Sequence, residues 1–228
     1  MISKIVHKLE PITLVGGAPL DGEALIRAIV HAPTLVAADG GAAHILAADL
    51  VPDAVIGDMD SLSDDLKASL PSRIIHLIEE QDSTDFEKCM LRLETPLVVG
   101  LGFLGGRLDH QLAVFHGLMR FADQRCVLLG EEEIVFLSPP AISLELPQGT
   151  PLSLFPLGPV VGDAQGLKWS FDQLAFAPGE RIGTSNITTD KVHLNMSAPA
   201  MLCILPADCF EIVLTALAAQ SGSWPARV

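Results

Sequence analysis

TLVAADGGAAHILAADLVPDAVIGDMDS, residues 34–61, contains two short apolar runs with acids directly behind each. TLVAA (34–38) and AVIG (54–57) are apolar throughout, as strands covered on both faces are, and residues 41–49 carry a helical pattern between them. Asp39 follows the first run inside AADGGAA, and Asp58 and Asp60 follow the second. Two aspartates one residue apart repel each other, and a simple chain reversal needs only one of them.

The same unit recurs on either side. ITLVG (12–16), RIIHLI (73–78), PLVVGLG (96–102) and CVLLG (126–130) read as further strands, and residues 21–31, 63–70, 84–94 and 108–122 as helices. This alternation predicts a parallel sheet with helices on both faces. From about Ile142 the texture changes. ISLELP, PLSLFPLG, KVHLNMS, AMLCILP and FEIVLTAL are short strand-like runs separated by Pro, Gly, Asp and Asn, and several alternate apolar with polar residues. LSPPAIS (137–143) reads as the linker. The expected fold is an α/β domain over 1–140 followed by an all-β domain over 141–228.

The bulk composition narrows the function. Of 228 residues 49% are hydrophobic, which supports folded cores, and the net charge is −14. So acidic a surface repels nucleic acid and anionic lipid, so neither is expected as a partner. Cys89, Cys126, Cys203 and Cys209 form no CxxC, a pattern of buried thiols in a reducing compartment. The N-terminus lacks an uninterrupted apolar core for a signal peptide, and the most apolar stretch is broken by Pro206, Asp208 and Glu211. A soluble cytoplasmic protein without a membrane span is expected.

Chemistry enters through the placement of the acids. Asp39, then Asp58 and Asp60, then Asp82 and Asp85 in DSTDFEKC, then Arg107, Asp109 and His110 each stand just past a strand's C-terminal end. In an open parallel sheet those ends share one rim, where ligands bind. Asp39, Asp58, Asp60 and Asp85 are hard oxygen donors, the ligand type that suits Mg²⁺ with substrate phosphates. Gly40 and Gly41 let backbone N–H groups approach a phosphate at the start of a helix.

Local roles compete with this reading. Asp64 and Asp65 follow Ser63 and suit a helix's first turn. Thr84 with Glu87 fits a capping box, which makes Asp85 an ordinary first-turn acid. Asp58 alone fits a turn. Capping, however, does not require acids at the ends of four strands. GLGFLG (100–105) matches GxGxxG on a late strand, without the acid expected after the next one, and no GxxxxGK[ST] occurs. Trp169 suits either a core or an aromatic face for a heterocycle.

In order, AADGGAAHILAADLVPDAVIGDMDSL, EEQDSTDFEKCM, GFLGGRLDHQLA and, later, GLKW…GTSN resemble the thiamin pyrophosphokinase family. The resemblance implies transfer of the pyrophosphoryl group of ATP to the hydroxyl of thiamine, with AMP released and Mg²⁺ as cofactor. It implies an α/β catalytic domain and a β-sandwich domain, the latter completing the thiamine site across a homodimer. Asp58, Asp60 and Asp85 would hold Mg²⁺. Asp39, Gly40 and Gly41 would lie near the phosphates, with Gln81 and Thr84 near the transferred group. Arg107, Asp109 and His110 would bind ATP. Ser185 and Asn186 would face thiamine, with Lys168 and Trp169 close by. Ile187 stands where many bacterial members carry an acid. Two other readings use the same rim: a metal-dependent phosphohydrolase of nucleotides or other diphosphates, and a non-catalytic nucleotide-binding regulator.

Overall fold

The computed structural model describes residues 2–220 and 222–226. The chain divides into two compact units, Met1–Gly117 with Leu128–Glu131, and Leu118–Val127 with Glu132–Val228.

The first unit runs β1 (Val6–His7), β2 (Ile12–Val15), α1 (Gly22–His31), β3 (Thr34–Ala38), α2 (Ala42–Ala47), β4 (Ala54–Gly57), α3 (Asp64–Ser69), β5 (Ile75–Leu77), α4 (Asp85–Arg92), β6 (Leu93–Glu94), β7 (Val98–Leu101) and α5 (Leu108–Arg120), whose last turn lies beyond the boundary. Every strand pairing in this unit is parallel: β1 with β6, β2 with β7, β3 with β4 and β4 with β5. Thr13 Oγ1 donates to Ala32 O at 2.6 Å, tying β2 to the chain entering β3. β2, β3, β4 and β7 are buried along their whole length, the reason their sequences are apolar without alternation. Val15, Leu25, Ile45, Val55, Met59 and Leu62 share one core. Each such side chain contributes about 1.5–3 kcal/mol when fully buried. RIIHLI is strand only over its second half, because Ser72–Ile74 forms a 3-10 turn.

Two glycines answer to close packing. A Cβ on Gly41 would stand 1.9 Å from Val15 O, so the turn at Asp39–Gly41 seats on β2 only with hydrogen there. Gly102 has φ +68° and would press a Cβ to 2.3 Å from Gly16 O.

β8 (Cys126–Leu129) spans a boundary between the units. The second unit continues with β9 (Glu133–Leu137), β10 (Ala141–Leu144), β11 (Pro151–Pro156), β12 (Val160–Leu167), β13 (Phe171–Phe176), β14 (Thr184–Met196), β15 (Met201–Pro206) and α6 (Phe210–Ala219). Its pairings are antiparallel. β14 is long enough to serve twice: its first half pairs with β11, in the run β11–β15–β9, and its second half lies between β10 and β12. Asn186, Thr188, Val192, Leu194 and Met196 alternate inward along it.

The rest of the unit is the antiparallel β region expected, but FEIVLTAL, expected as a strand, is instead the helix α6. Phe210, Val213, Leu214 and Leu217 are its buried residues, a three-to-four spacing, and Leu and Ala favour a helix. The second unit also contains β9, β12 and β13, which sequence reading missed. All four cysteines are buried, as expected. Among the described residues no helix is long and apolar enough to cross a membrane.

Candidate active site

The acidic corner of the first unit forms because β3 and β4 are parallel neighbours, so their C-terminal ends lie side by side. Asp39 is the first residue past β3 and Asp58 the first past β4. Asp39, Asp58 and Asp60 each offer a carboxylate oxygen within 4.8 Å of the others, a group that could hold a metal ion. The loop after β4 is shaped by its own acids. Asp58 Oδ1 accepts from Asp60 N at 3.4 Å, Asp60 Oδ1 accepts from Ser61 Oγ at 3.0 Å, and Asp39 Oδ2 accepts from Ser61 N at 3.1 Å.

Asp39 is 1% exposed and sits at φ +42°. Its Oδ1 is buried and accepts no hydrogen bond. Burial, with the Asp85 charge adding to it, pushes its pKa up to about 6. A buried, unpartnered oxygen beside two more carboxylates is costly unless a cation sits there, and all three donors are hard oxygens. The residues present therefore fit a divalent metal ion.

Asp85 lies outside this group of three. Its Oδ1 accepts from Lys88 Nζ at 3.1 Å, and the same ammonium donates to Asp58 Oδ2 at 2.8 Å. Lys88 holds the Asp58 carboxyl below its usual pKa by that hydrogen bond. Sequence reading missed Lys88, because a lysine in a helix's first turn ordinarily points to water. The available signal was its i, i+3 spacing from Asp85. α4 fixes both: Thr84 Oγ1 accepts from Glu87 N at 3.3 Å and Glu87 Oε2 accepts from Thr84 N at 3.2 Å, the capping box expected. Gln81 Nε2 donates to Asp58 Oδ2 at 3.4 Å.

Beside the corner lies a cleft of about 730 Å³. Its lining includes Gly40, Thr84, Asp85, Arg107 and His110, together with Phe103. Gly41 is buried beneath, serving the packing on Val15 described above instead of the cleft surface. Arg107 and Asp109 form an exposed two-pronged ion pair, Nε to Oδ1 at 3.1 Å and Nη2 to Oδ2 at 2.6 Å. That pair holds the Asp109 carboxyl at about 2. Glycines at 16, 17, 102, 105 and 106, which sequence reading left out of the site, also border the cleft.

Lys168, Trp169, Ser185 and Asn186 belong to the second unit. Trp169 is 54% exposed, with Lys168 Nζ 4.7 Å from its ring centre. Ser185 is exposed. Asn186 is buried and does not present its amide to solvent. Its Oδ1 accepts from Trp169 N at 3.1 Å and Ile187 N at 3.0 Å, while Nδ2 donates to Trp169 O at 2.9 Å. Within this unit it holds the backbone beneath Trp169.

The sequence profile of the thiamin pyrophosphokinase catalytic domain matches residues 26–129. Thiamine pyrophosphokinase 2 of Oryza sativa subsp. japonica is 31% identical over 209 residues, covering 76% of this chain and 78% of the relative. Thiamin pyrophosphokinase 1 of Caenorhabditis elegans is 28% identical over 190 residues, 74% of this chain and 77% of the relative. The fold is that of thiamin pyrophosphokinase from Candida albicans, with a TM-score of 0.75 at 17% identity over 87% of this chain and 89% of the other. With a relative 31% identical and matched over 78% of its length, and with sequence profile and fold agreeing, the chain belongs to the thiamin pyrophosphokinase family.

Proposed function

We infer that the acidic corner and its cleft carry out the family's reaction, transfer of the pyrophosphoryl group of ATP to the hydroxyl of thiamine, leaving AMP. The chain is a thiamine pyrophosphokinase by its homologues, and the roles of individual residues are our assignment. The observation that carries it is the meeting of Asp39, Asp58 and Asp60 within 4.8 Å beside a cleft large enough for a nucleotide.

Asp39, Asp58 and Asp60 would hold Mg²⁺, and Asp85 completes the acidic rim from the helix side. The ion, when bound, neutralises phosphate oxygens and draws charge from the transferred group. The chain supplies the rest. Gly40 and Thr84 bring small or hydroxyl-bearing surface to the phosphates, and Gln81, held on Asp58, orients the incoming hydroxyl. Arg107 turns its guanidinium to the triphosphate, with Asp109 fixing the plane of the fork. His110 and Phe103 close the nucleotide side. Catalysis of this kind comes from positioning and electrostatic stabilisation.

We assign ATP and the metal to residues 1–140 and thiamine to 141–228, with Ser185, Lys168 and Trp169 facing the substrate and Asn186 supporting them. The exposed apolar side chains Phe155, Trp169, Ile182 and Ile187 support a second copy of the chain sharing the site. AMP formation from ATP and Mg²⁺ tests the reading. AMP appears only when thiamine is added. Phosphate release without thiamine would indicate a hydrolase, and nucleotide binding that survives EDTA without product would indicate a regulator.

A further inference from the structure

Lys88 lies in the acidic corner, and the proposed reaction gives it no role. It is 2% exposed, and its ammonium lies 2.8 Å from Asp58 Oδ2 and 3.1 Å from Asp85 Oδ1. The capping box sets it there: with Thr84 and Glu87 locked together, the first turn of α4 presents Asp85 and Lys88 on one face. An ammonium has three donors, and two of them are spent on these carboxylates.

Asp58 and Asp85 therefore share one buried ammonium, and Asp39 and Asp60 are grouped with Asp58 beside it. Such a cation acts in two directions. It opposes a free divalent ion, because like charges repel and because it already holds Asp58 and Asp85. It favours a triphosphate, because the corner without it is wholly negative. Building on the assignment of a divalent ion and nucleotide to this corner, we propose that Lys88 is a positioning residue that makes the site take up its metal ion together with the triphosphate and not ahead of it. A purely structural ion pair would do neither; it would stabilise the corner and affect both ligands alike.

The two directions give the test. In the full chain, binding of free Mn²⁺ without nucleotide is followed by electron paramagnetic resonance. Binding of α,β-methylene-ATP with Mg²⁺, which cannot undergo the transfer, is followed by calorimetry. Lys88→Gln keeps hydrogen-bond donors and removes the charge. It should bind free Mn²⁺ about threefold to tenfold more tightly and the magnesium–analogue complex about tenfold more weakly, while Lys88→Arg stays near the unaltered protein in both. Both affinities falling together in Lys88→Gln, or neither moving, would overturn the proposal.

Should Lys88→Gln not fold by circular dichroism, the unaltered protein decides. The proposal requires weak uptake of free Mn²⁺ that tightens when the analogue is added, and tight uptake indifferent to the analogue contradicts it. Asp58→Asn and Asp60→Asn examine the underlying assignment separately. If both retain Mn²⁺ uptake with the analogue present, the metal site itself is misassigned, whatever Lys88 does.

Discussion

Asp39 concentrates the conflict between stability and activity in one side chain. It is buried, it adopts a left-handed backbone conformation that Asp and Asn tolerate better than other residues, and one of its oxygens has no partner. Its pKa near 6 means that the folded chain keeps the proton after the unfolded chain has lost it near 3.8. Without metal, stability therefore falls as pH rises between those values and stays lower above them. Asp39→Asn removes that cost. In EDTA at pH 8 the variant should be about 2 kcal/mol more stable to urea than the unaltered protein, the advantage vanishing near pH 3. It should also lose pyrophosphoryl transfer. Equal stability at pH 8, or retained turnover, would remove Asp39 from the site.

At the scale of elements, α4 matters most, because its capping box sets the register of both Asp85 and Lys88. Thr84→Ala should cost about 1 kcal/mol in thermal or urea unfolding, and Thr84→Ser only a few tenths. Equal losses for the two would mean that the cap does not hold the turn. The parallel strands of the first unit were legible because burial on both faces leaves an unbroken apolar run, and strand ends marked by acids located the corner. Other elements were not legible. FEIVLTAL is too short and too uniformly apolar for its period to separate helix from strand, and burial against β10 decides it. β12 and β13 carry Gly, Asp and Gln at bulged or outward positions, which dilutes any strand signal. The expected metal ligands are Asp58, Asp60 and Asp85; the acids whose oxygens lie within 4.8 Å of one another are Asp39, Asp58 and Asp60, and Asp39 joins them because which acids converge depends on strand neighbours and not on spacing along the chain. Asn186, read as facing a ligand, is spent on the backbone of Trp169, a tertiary bond that no local pattern announces.

Over the whole molecule, a net charge of −14 acts on both substrates at once. It attracts cationic thiamine and opposes the nucleotide unless magnesium accompanies it. Raising salt from about 0.05 to 0.5 M should therefore raise the KM for thiamine severalfold and leave that for magnesium-ATP unchanged or lower. A KM for thiamine indifferent to salt would mean that the general field plays no part. The proposed sharing of the thiamine site between copies predicts a dimer in sedimentation at the enzyme concentrations used for assay; a monomer with full turnover contradicts it.

In the proposed reaction, carboxylates from two strand ends hold one divalent ion against the triphosphate. Crystals grown with Mn²⁺ and α,β-methylene-ATP test it through the metal's anomalous scattering. A peak is expected within about 2.5 Å of oxygens of Asp39, Asp58 and Asp60, bridged to the phosphates. A peak elsewhere, or nucleotide bound in the cleft with no metal at the aspartates, would contradict it.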